Sequence, residues 1–406
     1  MTLTDRGQGA LRRSSIFAAV DVTGKLLALA AVAVLARTLD ATKFGAVLTS
    51  LAGAAILSTV VDCGISQHLV AVVVEDSRRA RAIATRRYQV VLAAALAGLL
   101  TSQLVPGLRL YALAAVAGVI VSLLPVGALL ADGRLATAAA GLIGPNVLFL
   151  GYLVVRAPTS PTDVMGAWVV VNSAAVVVVS LRTPWLRPVR SPDLTFYEAA
   201  RESLPLGLAN IVGAAYGRVD ILLVAAIVGT VAAGAYAANY RIVLALIGLA
   251  AWTSNLEARR LGDPEYTMET LRRLLRWALT AALSASIFLI AFLPVLVRTM
   301  LSPEQELPRL TVGLLALLTV PHIVSMPLAQ LVILRHRQRA LAHAAVIVGG
   351  AAIVLYPALI STWGVNGAAF ASLSLETLDF VLVGRIVFRI LSSEPDPGAP
   401  EDPDET

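Results

Sequence analysis

The sequence predicts an all-α polytopic membrane protein, with twelve transmembrane helices in two six-helix lobes and both termini on the cytoplasmic side. Three observations carry this. Arginines cluster in every second gap between apolar stretches, at Arg12, Arg13, Arg78, Arg79, Arg81, Arg86, Arg87, Arg187, Arg190, Arg259, Arg260, Arg272, Arg273, Arg335 and Arg337. Cytoplasmic loops keep Lys and Arg whereas short outer loops shed them, so the alternation marks a chain threaded repeatedly through a bilayer from an inside N-terminus. Charged residues are 14% and hydrophobic residues 58% of the chain, where a soluble domain carries about 25% charged residues. Finally, the punctuation of the first half recurs in the second.

A helix needs about 20 apolar residues to cross the hydrocarbon layer. Such stretches run from Ser15 to Ala36, Phe44 to Val61, Tyr88 to Val105, Leu110 to Ala131, Leu135 to Val155 and Val164 to Leu181. Six more run from Leu204 to Val228, Val231 to Trp252, Trp277 to Val297, Leu310 to Leu334, Leu341 to Ser361 and Gly367 to Phe388. These bounds divide the chain into a first lobe (1–185), a cytoplasmic linker (186–203), a second lobe (204–391) and an acidic, proline-rich tail (392–406) expected to be disordered. Of 32 basic residues, six fall on the outer side (Arg37, Lys43, Arg109, Arg156, Arg298, Arg309) and three inside helices (Lys25, Arg218, Arg241). The remainder are inside. The first span is expected to stay as a membrane helix and not to be a cleaved leader, because Asp21 and Lys25 interrupt it and a second span follows within a few residues.

Several function classes are excluded. The net charge of +6 is an orientation signal, since nucleic-acid binders concentrate charge on a soluble domain. Cys63 is the single cysteine, and His68, His322, His336 and His343 lack ligand spacing, so no cofactor or metal site is expected. The longest soluble stretches, Asp62 to Arg87, Arg182 to Ser203 and Glu257 to Arg276, are too short for a catalytic domain. The chain is therefore not expected to be an enzyme.

The repeat is visible in paired helix openings: Phe44-Gly45-Ala46-Val47 with Ala233-Gly234-Ala235-Tyr236, Leu135-Ala136-Thr137-Ala138 with Leu341-Ala342-His343-Ala344, and Met165-Gly166-Ala167 with Asn366-Gly367-Ala368. Each pair shares its direction of crossing, as in parallel repeats related by an axis along the membrane normal. Further residues resemble a known family. Leu35-Ala36-Arg37-Thr38-Leu39-Asp40 followed by Phe44-Gly45, Val61-Asp62-Cys63-Gly64-Ile65, Arg218-Val219-Asp220 with Gly234-Ala235-Tyr236 and Tyr240-Arg241, and Trp363-Gly364-Val365-Asn366-Gly367-Ala368-Ala369 are similar to the Wzx-like polysaccharide exporters. These are the lipid-linked oligosaccharide flippases of the multidrug/oligosaccharidyl-lipid/polysaccharide (MOP) exporter superfamily. The resemblance covers roughly residues 10 to 390 and implies a MATE/MOP-like fold working by alternating access around a central cavity.

Charged groups inside helices are the candidate functional residues, because a Lys or Arg at the bilayer centre costs roughly 2.5 to 3.5 kcal/mol. At 1.5 Å per residue, Lys25 lies about 15 Å and Arg218 about 21 Å from the inner end, and Arg241 about 15 Å below the outer end. Fixed cations at that depth suit a phosphate or pyrophosphate. Asp21 and Lys25 share a helix face and can equally form a structural pair. Arg218 and Asp220 are about 200° apart around a helix, so one of them must face a neighbouring helix. Asp21, Asp220, Glu376 and Asp379 are candidates for ion coupling or for charge pairing, Glu376 or Asp379 with Arg218 or Arg385. Pro145, Pro205, Pro294, Pro321, Pro327 and Pro357 supply kinks.

The resemblance implies a flippase moving an undecaprenyl-(pyro)phosphate-linked oligosaccharide from the inner to the outer leaflet of a bacterial plasma membrane. Its partners would be that lipid-linked glycan, membrane lipids and glycosyltransferases or a polymerase of the same pathway. A MATE-type drug/cation antiporter is the alternative and would favour an acidic first-lobe cavity. A membrane glycosyltransferase or polymerase would need a sizeable outer loop, and none is present.

Overall fold

The computed structural model describes residues 3–188, 195–257, 267–335 and 337–392. Within them the chain is almost wholly helical: α1 (Leu3–Thr38), α2 (Ala41–Asp62), α3 (Ile65–Glu75), α4 (Ser77–Leu104), α5 (Arg109–Val121), α6 (Val126–Ala131), α7 (Leu135–Arg156), α8 (Pro161–Arg182), α9 (Phe196–Ile227), α10 (Thr230–Glu257), α11 (Thr267–Met300), α12 (Arg309–Leu334), α13 (Gln338–Trp363) and α14 (Val365–Ser392). Arg190, Arg259, Arg260, residues 189–194 of the expected linker and the tail from 393 onward lie outside the described residues.

Local chemistry sets the helix starts. Asp40 accepts the Lys43 amide at 2.9 Å and caps α2; its bond to the Lys43 ammonium holds the carboxyl below the usual carboxylate range. Thr195 and Glu198 form a reciprocal capping box at the start of α9. Pro161 occupies the first turn of α8, where no intrahelical amide bond is lost.

Eleven helical segments are long and apolar enough to cross a membrane, α5 and α6 counting as one. This is a multi-pass membrane protein. Helix α14 is 28 residues long but carries Glu376, Asp379, Arg385 and Arg389 and is not among the eleven.

One sequence expectation is corrected, and one expected span stands but is interrupted. The stretch from Asp62 to Arg87, expected as a loop, is helix α3 and the start of α4, turned at Cys63 (φ 46°) and Gly64 (φ 76°). The span expected from Leu110 to Ala131 breaks between Val121 and Val126. Pro125 lacks an amide hydrogen and biases Leu124 away from helical geometry, so the ladder stops there. By contrast Pro145, Pro294, Pro321, Pro327 and Pro357 all lie within continuous helices.

Packing repeats between the halves. Helix α1 lies on α7 as α9 lies on α13; α2 lies on α5 as α10 lies on α12; α5 lies on α8 as α12 lies on α14. The halves meet chiefly where α2 packs on α9 and α10, and α1 on α10. Glycines permit two of these approaches. A Cβ at Gly45 or Gly234 would strike the facing backbone or side chain of α10 or α2, and one at Gly64 or Gly207 would strike the facing backbone between the α2–α3 turn and α9. The Arg37 guanidinium at the end of α1 donates to the Thr299 carbonyl at the end of α11.

Candidate functional site

Where the two halves face each other a cavity of about 500 Å³ opens between α1, α2, α5, α7 and α8. Its wall is largely apolar, with Phe149 set edge-on to Trp168 at 4.6 Å between ring centroids. Polar groups on this wall are few, including Ser58, Thr59, Asn146 and Asn172. Asn146 and Asn172 donate to the Leu142 and Trp168 carbonyls of their own helices, at 2.8 and 2.7 Å. The charge comes from across the interface: Arg218 of α9 and Arg241 of α10 both line the cavity. Among the described residues, neither guanidinium has a hydrogen bond or an ion pair with a protein group.

A smaller hollow of about 210 Å³ adjoins it, lined by Lys25, Ala28, Leu29, Arg241, Leu244 and Ala245. Arg241 and Ala28 border both spaces. The three basic residues singled out inside helices, Lys25, Arg218 and Arg241, are therefore brought to neighbouring spaces. Lys25 also pairs with Asp21 at 2.6 Å, with the two side chains 41% and 24% exposed, so the pair is not enclosed by protein. Gly248 makes room for it: a Cβ there would meet the Lys25 ammonium.

The acidic candidates are not in this cavity. Asp220 is fully buried and accepts the Tyr236 hydroxyl at 2.9 Å, the Ser372 hydroxyl at 3.3 Å and the Ile221 amide at 2.7 Å. Tyr356 extends this network, lying 3.1 Å from the Ser372 hydroxyl and donating to the Tyr216 carbonyl at 3.0 Å. The expected division between Arg218 and Asp220 is realised, one facing the cavity and the other the interior of the second half. Glu376, 6% exposed, lies 2.9 Å from Nδ1 of His322 on α12. Asp379, one turn further along α14, is within electrostatic range of both. Of the two readings left open for Glu376, ion coupling and charge pairing with Arg218 or Arg385, the second named other partners: among the described residues the group beside Glu376 is His322.

Sequence reasoning missed two residues. His322 carries no ligand spacing and becomes interesting only when α12 packs beside α14. Arg87, counted as a loop cation, is 3% exposed. It donates to the Asp62 carboxylate, to the Ser66 hydroxyl at 2.7 Å and to the Ser122 carbonyl freed by the break before Pro125. No local pattern marks that contact, because its members come from α2, α3, α4 and the break after α5.

The structure is thus an all-helical membrane bundle whose packing repeats between its halves and whose cavity is bordered by basic side chains. Residues 10–254 match the family described as polysaccharide biosynthesis protein, and the chain belongs to that family. No curated protein matches the sequence significantly. Among solved structures, the fold is similar to the lipid II flippase MurJ in an inward closed conformation (12% identity, 95% of this chain and 93% of that one, TM-score 0.71). It is also similar to an inward-facing multidrug resistance MATE transporter of the MOP superfamily (12% identity, 92% and 96%, TM-score 0.66). A third is a MOP superfamily transporter from Pyrococcus furiosus, described as having a binding pocket of reverse polarity (10% identity, 94% and 96%, TM-score 0.62). The resemblance carried by the sequence motifs is thus borne out at the level of family and fold, and these solved neighbours are transporters and flippases, not enzymes.

Proposed function

We propose that this protein moves an undecaprenyl-(pyro)phosphate-linked oligosaccharide from the inner to the outer leaflet of a bacterial plasma membrane, by alternating exposure of the cavity between two lobes. The observation that carries it is the pair of guanidiniums, Arg218 and Arg241, facing that cavity with no hydrogen bond or ion pair to a protein group among the described residues. Unpaired cations at membrane depth are costly unless water or an anion meets them. Guanidiniums match phosphate oxygens in planar, bidentate geometry. Lys25, shared between Asp21 and the adjoining hollow, adds a third positive group on the path.

The proposed topology has twelve crossings, α14 included, with both termini cytoplasmic, and lobe bounds at 1–185 and 204–391. The lobes rock about α2, whose glycine contacts lie at both of its ends. Asp220, Glu376 and Asp379 sit in the second lobe, and a driving proton or sodium ion would act there through His322 and Glu376. Glycosyltransferases or a polymerase of the same pathway would supply and consume the glycan. The alternative, an antiporter for cationic drugs, is disfavoured by the sign of the cavity charge. Depletion of the protein, followed by leaflet-resolved analysis of lipid-linked intermediates, tests the proposal. Accumulation confined to the inner leaflet is expected; unchanged intermediates together with loss of cationic drug resistance would instead assign it to the antiporters.

A further inference from the structure

Behind the cavity, on the membrane face of the first half, lies a second concavity of about 590 Å³ between α4, α5 and α8. Helices α5 and α8 divide the two spaces. Val121 and Asn172 face the cavity, while Ile120, Leu123, Val176 and Val177 face the groove. The groove runs along α4 from Tyr88 to Leu99, about 16 Å at 1.5 Å per residue. That is close to one leaflet, roughly half of a 30 Å hydrocarbon layer. Its sides are apolar and open, with Leu92 62% and Val177 55% exposed.

One end is different. Tyr88 and Ser180 join their hydroxyls there, and Arg187 closes the groove. The Arg187 carbonyl accepts Nε of Arg81 at 2.9 Å, and its own guanidinium donates to the Leu181 carbonyl at 2.7 Å. Two exposed or half-exposed guanidiniums, each with donors to spare, thus stand at the mouth of a leaflet-long apolar slot. Arg81, Tyr88, Leu92, Ala95 and Leu99 lie on one face of α4 at helical spacing.

We propose that this groove holds one anionic phospholipid as a resident ligand, an acyl chain along α4 and the phosphate against Arg81 and Arg187. Positive groups at one end and apolar walls along a single leaflet's depth complement such a molecule in both parts. The walls turn away from the cavity, so this site is separate from the one proposed for the transported glycan. Assignment to the cytoplasmic leaflet rests on the topology proposed above, whereas binding itself does not.

The test is native mass spectrometry of the full-length protein in detergent, titrated with phosphatidylglycerol or phosphatidylcholine of identical chains. Phosphatidylglycerol should be retained at least fivefold better, since each basic residue near a lipid surface contributes about a factor of five. The double change Arg81→Gln with Arg187→Gln should abolish that preference. Val177→Trp, which adds bulk at an exposed groove position without entering the core, should reduce retention of both lipids; Leu92→Trp provides a second, equally exposed blocking position. Equal retention of the two lipids, or full retention in the blocked variants, would overturn the proposal. So would preferential capture of undecaprenyl phosphate in the same groove, or a dimer that the blocked variants lose.

Discussion

Replacing Arg241 by Gln should weaken the anionic substrate while leaving the empty protein as stable as before, or more stable. The expectation comes from what the guanidinium touches. It borders both spaces between the halves and, among the described residues, bonds no protein group, so its removal strands no partner. In the loaded state, one charge-assisted contact to a phosphate is worth about 1.5 to 3 kcal/mol. Substrate affinity should therefore fall roughly 10- to 150-fold. In the empty state Arg241 faces the like charge of Arg218 across the same cavity, and a central arginine costs about 2.5 to 3.5 kcal/mol on insertion scales. Thermal stability in detergent should then stay level or rise. The assay pairs substrate binding to purified protein with leaflet-resolved export in cells. A fall in melting temperature with normal binding per folded molecule would show that Arg241 is a structural residue and refute the assignment; normal binding and export at unchanged stability would refute it equally.

Asp21→Asn with Lys25→Gln removes the 2.6 Å pair as a unit, and export should remain impaired at normal protein level; full recovery in the double variant would make the pair merely structural. Arg87→Met should destabilise the protein by about 3 to 5 kcal/mol, because it leaves Asp62 without its cation at a largely buried site, and chemical denaturation or protease resistance would register the loss. His322→Gln and Glu376→Gln should each remove the dependence of export on the proton or sodium gradient if the 2.9 Å pair is the coupling element, since an amide keeps the shape and cannot titrate; unchanged gradient dependence in both variants assigns the pair to packing. A phosphatase fused after Arg298 should be active and one fused after Arg337 inactive, and the reverse pattern would overturn the proposed topology.

The spans are legible in the sequence because a bilayer imposes a length and an apolarity on every crossing and a charge rule on every short loop. The same rules misread what lies at the membrane edge. Arg87 satisfies the charge rule as a loop residue, yet its guanidinium is buried against Asp62, Ser66 and the Ser122 carbonyl. Helix α3 is too short to register as a span and too apolar to read as a typical loop. Its position depends on Gly64 meeting Gly207 from the other half of the molecule, a contact with no signature in either segment alone. Pro125 did carry a local signal for the broken helix, outweighed in a window that averages apolarity over the whole stretch.

The cavity was legible for a different reason. Basic residues are so costly at membrane depth that the few present must have a destination, and Lys25, Arg218 and Arg241 converge on adjoining spaces. The acidic residues needed the fold. Asp220 avoids its neighbour Arg218 in favour of Tyr236 and Ser372, which reach it from α10 and α14, and Glu376 finds a histidine whose sequence context is silent. This sorting has a mechanical consequence. Arg218 and Arg241 face the cavity, while Asp220 and Glu376 are held inside the second half by hydroxyls and an imidazole. The His322–Glu376 contact joins α12 to α14, and neither residue lines the cavity. Under the proposed function, energy input at that pair and substrate binding in the cavity would occupy different parts of the molecule, coupled through helix packing instead of through direct contact.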